Sequence, residues 1–183
     1  MAAEAERHRA SQPPVLKVVW RKPHPGFHHP AGKQDILKLL NAVGSVAIYG
    51  LRSVELIRAP AASSGVPPFG RYVVPGRIVL YEQPLSPWRL PGILVPATAR
   101  RLEDAGAILT ALPAASATVV DWPDGTLRLF MLEEVLLHEV GHHVLQHHKG
   151  KRQARIARTR DHEAFAARFA EKQRAALRER RSG

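Results

Sequence analysis

The apolar residues of this chain change period along its length, and the most demanding stretch is 131–146. There Leu132, Val135, Leu136, Leu137, Val140, Val144 and Leu145 surround a helical axis almost completely, with no Pro and a single Gly. A helix that is apolar on nearly every side crosses a core rather than lying on a surface. Residues 34–43 read differently. Ile36, Leu37, Leu39, Leu40 and Val43 sit at helical spacing, with Asp35 near the start and Gly44 as a stop, which predicts an amphipathic helix. Residues 100–109 are also expected to be helical. A last helix is expected over 159–172, with Thr159 as N-cap. Glu163, Ala166, Ala167 and Ala170 run along one side of it, and Phe165 and Phe169 along another.

Between these helices lie short runs of strand-forming residues: 15–20, 46–49, 53–58, 71–74, 77–81, 117–122 and 126–129. Pro75-Gly76 and Pro123-Asp124-Gly125 read as hairpin turns. A small antiparallel or mixed sheet is therefore expected before the buried helix, with one strand running directly into it. The Pro-rich segment 84–96 around Trp88 reads as a loop over the core, 59–70 as a flexible connection, and 21–33 as an exposed Pro-rich loop. The fold class is α+β. Its expected organisation is a largely disordered or extended leader (1–33), one domain (34–172) and a basic C-terminal tail (173–183).

Chemistry enters through three residues of the buried stretch. His138, Glu139 and His142 form an HExxH motif. On a helix, residues four apart share a face, so both imidazoles can reach one ion while Glu139 points about 100° away around the axis. Two neutral histidines suit Zn²⁺, and the adjacent carboxylate suits a general base toward the water that the metal activates. A catalytic zinc takes a third protein ligand, and Glu163 is the candidate, with Asp161 and His162 beside it as alternatives. The Ala stripe next to Glu163 lets its helix lie close to the HExxH helix. Gly141, between the two histidines, leaves room for another backbone to approach.

The pair HEVGHH and EAFAARFA resembles the gluzincin metallopeptidases, particularly the minimal ImmA/IrrE-like members. The likeness covers about residues 130–170. It implies a zincin-like domain binding one Zn²⁺ through His138, His142 and Glu163, with Glu139 as general base in peptide-bond hydrolysis. It also implies a protein or peptide substrate, such as a regulatory protein, held as an added strand on a sheet edge near the metal. The family commonly has Asn or Asp two to four residues after the ligand Glu; here Phe165 and Ala167 stand there. Glu134, one turn before His138, can orient a ligand imidazole, or can simply favour the start of the helix. Tyr72, Tyr81, His162 or an Arg are the available donors toward a reacting carbonyl, and the sequence does not rank them.

Composition narrows the alternatives. There is no Cys, so any metal must be held by His and carboxylate, and disulfides are excluded. No apolar run is long enough to span a bilayer and residues 1–14 lack the core of a signal peptide, so a cytoplasmic protein is expected. The net charge of +11 and the Lys- and Arg-rich stretch 149–160 allow a basic surface for nucleic acid or an acidic partner. No aromatic residues interleave there to stack on bases, which disfavours nucleic acid. The rival reading is thus a zinc-stabilised, non-catalytic binding protein, with Asp161 or His162 closing the metal's fourth position. A second histidine pair, His143 and His147, is offset from the first around the helix and encloses no general base; both are expected to be partly exposed.

Overall fold

The computed structural model describes residues 16–60, 65–148 and 160–182. Strand β1 (Lys17–Trp20) leads through the two-residue β2 (Phe27–His28) into helix α1 (Lys33–Val43). Ile36, Leu39 and Leu40 form the buried stripe of α1. Gly44, at φ 99°, stops it as expected. A one-turn helix α2 (Ser45–Ile48) and strand β3 (Ser53–Ile57) follow, then the hairpin β4 (Gly70–Val73) and β5 (Arg77–Tyr81). These strands make a mixed sheet of order β1-β3-β5-β4, in which β1, β3 and β5 are parallel and only β4 is antiparallel. Its composition follows burial: Ile78, Val79, Leu80 and Tyr81 of β5 are all buried, as a strand covered on both faces requires.

A two-residue strand β6 (Gln83–Pro84) pairs with β2. Strands β7 (Trp88–Pro91), β8 (Ile108–Leu112) and β9 (Ala117–Asp121) then form an antiparallel sheet of order β7-β9-β8, and helix α3 (Pro96–Asp104) connects β7 to β8. One continuous helical segment runs from α4 (Thr126–Leu129) through a π-helical stretch (Phe130–Leu136) into α5 (Leu137–His148). Helix α6 (Arg160–Ser182) packs along α5. The chain is thus α+β. The core lies where the 126–148 segment crosses the sheets: Phe130, Met131, Leu136, Leu137 and Val140 are each at most 2% exposed. The encircling apolar pattern of 131–146 predicted that burial.

Several expected elements are different in the structure. Residues 46–49 are helical turn, not strand: Val46 and Tyr49 are exposed and pair with no sheet, so their β preference has nothing to pack on. The segment 84–96 holds β7, and Trp88 is buried with its indole N–H donating to the Pro84 carbonyl at 2.8 Å. Helix α3 begins at Pro96, four residues earlier than 100, and 108–112 is strand; Gly106, at φ 91°, divides them. The hairpin expected between 117–122 and 126–129 does not form. Gly125, at φ 78°, turns the chain into α4, and β9 pairs with β7 and β8 instead. The strand running into the buried helix is therefore a helical turn.

Upstream of residue 34, β1 belongs to the mixed sheet and β2 pairs with β6, and α6 continues beyond 172 to Ser182. The loop 21–33 is tied down: the Glu82 carboxylate, 1% exposed, accepts from the His24 ring, from the His24 N–H at 2.7 Å and from the Ala59 N–H at 3.2 Å. The leader 1–14, residues 61–64 of the flexible connection, nearly all of the basic stretch 149–160 and the Thr159 N-cap lie outside the described residues. Among the described residues, no helix is long and apolar enough to cross a membrane.

Candidate metal centre

Helix α5 brings His138 and His142 to one side, one turn apart, with their Nε2 atoms 3.1 Å from each other. Glu163, in the first turn of α6, meets them there. Its Oε2 lies 3.1 Å from His138 Nε2 and its Oε1 3.5 Å from His142 Nε2. These separations can be compared with what a metal requires. Tetrahedral zinc with bonds of about 2.0–2.1 Å holds its donors about 3.3–3.4 Å apart. The edge between the histidines, 3.1 Å, is close to that; Glu163 meets them through different oxygens, and one donor atom from each residue lies within 4.8 Å of the others, so the set suits the ion in number and chemistry. His142 is 5% exposed, His138 26% and Glu163 47%, so the centre sits at the edge of the core and opens on the Glu163 side.

The close approach of α5 and α6 makes this convergence possible. A Cβ on Gly141 would stand 2.8 Å from Ala166 Cα and 3.1 Å from its carbonyl oxygen. Any side chain at 141 would push α6 away. Ala166 is fully buried and Ala170 is 3% exposed, so these two form the contact face, while Ala167 of the expected stripe is exposed. The stripe continues past the expected helix end to Arg174 and Leu177, at the same spacing of three and four residues. Arg174 there pairs with Glu134. Glu134 thus bonds α6 to the helical segment one turn before His138. Ending the helix at 172 in the sequence reading hid that partner.

Glu139 is 5% exposed, one residue on from His138 and around the helix from it. Burial holds the Arg101 guanidinium of α3 below its ordinary pKa, and the charge of the Glu139 carboxylate opposes that shift. Asp161 is exposed and stands outside the donor cluster, as does His162; among the described residues the cluster has three members.

His143 and His147 occupy another face of α5. His143 is 2% exposed, against expectation, and both its ring nitrogens are engaged. Nε2 donates to the Tyr49 carbonyl at 2.9 Å, so Nδ1 is the acceptor, with the Tyr72 hydroxyl 3.4 Å away. That hydroxyl in turn accepts the Gly76 N–H at 3.1 Å. His147 is partly exposed, as expected, and its ring stacks edge-on with Tyr49. Tyr72 therefore meets His143 rather than the donor cluster, and Tyr81 is 5% exposed within the sheet. His24 and His29 are committed elsewhere, to Glu82 and to the Arg21 carbonyl.

Compared with models of known families, with curated proteins and with solved structures, the chain matches none.

Proposed function

We propose that this chain is a zinc-dependent metallopeptidase with a zincin-like, gluzincin-type centre, similar to the ImmA/IrrE-like pattern. The observation that carries the reading is the meeting of His138, His142 and Glu163 from two helices, one donor atom of each within 4.8 Å of the others, beside a buried Glu139. His138, His142 and Glu163 would hold the metal. Zinc, when bound, supplies a Lewis acid that acidifies water and polarises a carbonyl. Glu139 takes the proton that water gives up as its oxygen bonds to the carbonyl carbon. It then passes that proton to the amine nitrogen as the C–N bond breaks, so that acid and amine are the only products.

Three protein donors leave one position for water, whereas a structural zinc site closes all four. The exposure of Asp161 and the three-membered cluster thus favour the catalytic reading over the zinc-stabilised binding protein. Strand β4 is a sheet edge that lies against the helical segment: a Cβ on Gly70 would stand 2.8 Å from Val135 Cγ1. An extended segment of a protein substrate can add there by main-chain pairing. A regulatory protein as substrate and a cytoplasmic setting complete the proposal.

The test is zinc content and cleavage of unfolded casein by the wild type, His142→Ala, Glu163→Ala and Glu139→Gln. One zinc in the wild type, its loss from both ligand variants, and retention of zinc without cleavage in Glu139→Gln are expected. Zinc retained by Glu163→Ala would refute the ligand set, and cleavage by Glu139→Gln would refute the mechanism.

A further inference from the structure

A strand left bare at a sheet edge is a template for pairing with another chain, and proteins guard such edges with charge, with Pro or by keeping them short. The two larger sheets have four edge strands: β1, β4, β7 and β8. Three are guarded. β1 carries Lys17 and β4 carries Arg71, while β7 carries Arg89 and ends on Pro91; all three cations are exposed. β2 and β6 are only two residues long. β8, with the sequence ILTAL, has none of these devices. Among the described residues it pairs with β9 alone, none of its own residues is buried, and Ile108 is 57% exposed. No charged residue stands anywhere in 105–120.

The strand itself indicates what covers it. Set antiparallel against a second copy about Thr110, Ile108 falls opposite the partner's Leu112, Leu109 opposite the partner's Ala111, and Thr110 opposite its own equivalent. Every pair is then apolar with apolar or Thr with Thr, combinations that favour cross-strand association. Charge selects the same site. Two copies of a chain with net charge +11 repel over most approaches, and this edge brings no charge to the contact. On the sheet face that Ile108 and Thr110 share, the strand charges are Arg89 and Asp121, which are opposite in sign.

We propose that β8 is a self-association surface: it pairs antiparallel with β8 of a second copy, Thr110 opposite Thr110, and joins the two three-stranded sheets into one two-fold symmetric sheet. The inference goes beyond the peptidase reading and stands without it. β4 lies in the other sheet, so this pairing leaves that edge open.

The chain has no Cys, so a single introduced thiol reports the register. Residues directly opposite in antiparallel strands have Cα atoms about 4.5–5.5 Å apart, within disulfide reach, whereas Ile108 and its equivalent would be offset by about 14 Å. The full chain is used with zinc present, as wild type, Thr110→Lys, Thr110→Cys and Ile108→Cys. Sedimentation equilibrium of the wild type over about 1–100 μM, a range suited to a small interface, should show monomer and dimer in exchange. Thr110→Lys sets two ammonium groups face to face on the two-fold axis. It should weaken dimerisation at least about ten-fold and leave the urea midpoint unchanged, because Thr110 is exposed. Mild oxidation should convert Thr110→Cys to a covalent dimer and leave Ile108→Cys monomeric on a denaturing gel. A wild type that stays monomeric throughout would overturn the proposal and leave the edge to another protein's strand. A dimer that Thr110→Lys leaves intact, or cross-linking of Ile108→Cys in preference to Thr110→Cys, would overturn it equally. If the Thr110→Lys protein does not fold, the two cysteine variants decide.

Discussion

Helix α5 carries two His-x-x-x-His pairs, and they have opposite fates. His138 and His142 turn their Nε2 atoms toward one another and toward a carboxylate delivered by a second helix. His143 and His147, five residues further on, face the loop at Tyr49 and the edge strand at Tyr72. The spacing is identical; the difference lies in what stands opposite. On one side a small-residue contact at Gly141 and Ala166 lets Glu163 in, and three donors converge. On the other, a backbone carbonyl and a hydroxyl consume both nitrogens of His143, and among the described residues no carboxylate comes near enough to complete a set. Burial also lowers the His143 pKa, in keeping with a neutral ring used as a structural bond. Helical spacing nominates a metal pair, and the partner element decides it.

The largest effect that tests this contrast is on metal binding. His142→Ala should reduce zinc affinity by more than the roughly 10–100-fold that loss of an orienting partner costs. His143→Ala should keep one zinc per chain and instead lose about 1–3 kcal/mol of stability, because buried bonds to Tyr49 and Tyr72 are broken. Zinc titration and urea unfolding of both variants separate the two outcomes; equal zinc loss in both would erase the distinction.

Gly141→Ala follows in size and acts on the contact rather than on a donor. The new methyl would meet Ala166 backbone, which cannot rotate aside. Overpacking of this kind costs about 1–3 kcal/mol. It should also displace Glu163 from the histidines, so zinc affinity and stability should fall together although every ligand is present. A Gly141→Ala protein with wild-type zinc affinity would show that the two helices do not need this approach.

The features of the centre that were legible in the sequence share one cause: they are local and periodic. HExxH, the encircling apolar residues of 131–146 and the Ala stripe after Glu163 all follow from helical spacing, and Pro75-Gly76 announced the β4–β5 turn. The failures are non-local. Parallel pairing of β1, β3 and β5 joins residues 17–20, 53–57 and 77–81, and no local pattern records it. Residues 126–129 are aliphatic enough to serve as a strand or as the first turn of a helix; continuity with Phe130 and Met131 decides for the helix. The prolines around Trp88 suggested a loop, but β7 lies at a sheet edge, where Pro91 leaves no ladder bond unmade that the sheet requires. The Arg174–Glu134 pair depends on tertiary packing alone.

The smallest expected effect concerns a third histidine–carboxylate contact, His24 with Glu82, which has the chemistry of the His138–Glu163 contact but no second histidine. Burial alone would raise the Glu82 pKa, but the His24 ring, the His24 N–H and the Ala59 N–H together outweigh it and hold the carboxyl below its ordinary 4.5. A carboxyl depressed in the folded state stabilises fully above its unfolded value and loses that contribution as pH falls through the folded value. Glu82→Gln should therefore be less stable than wild type at pH 7, by about 1–3 kcal/mol for the buried bonds disturbed. The gap should narrow at pH 3, and zinc should change it at neither pH. Urea midpoints of both proteins at the two pH values, with and without zinc, check each part. A gap that zinc enlarges would mean that this contact is coupled to the candidate metal centre and that His24 does not stand apart from His138 and His142.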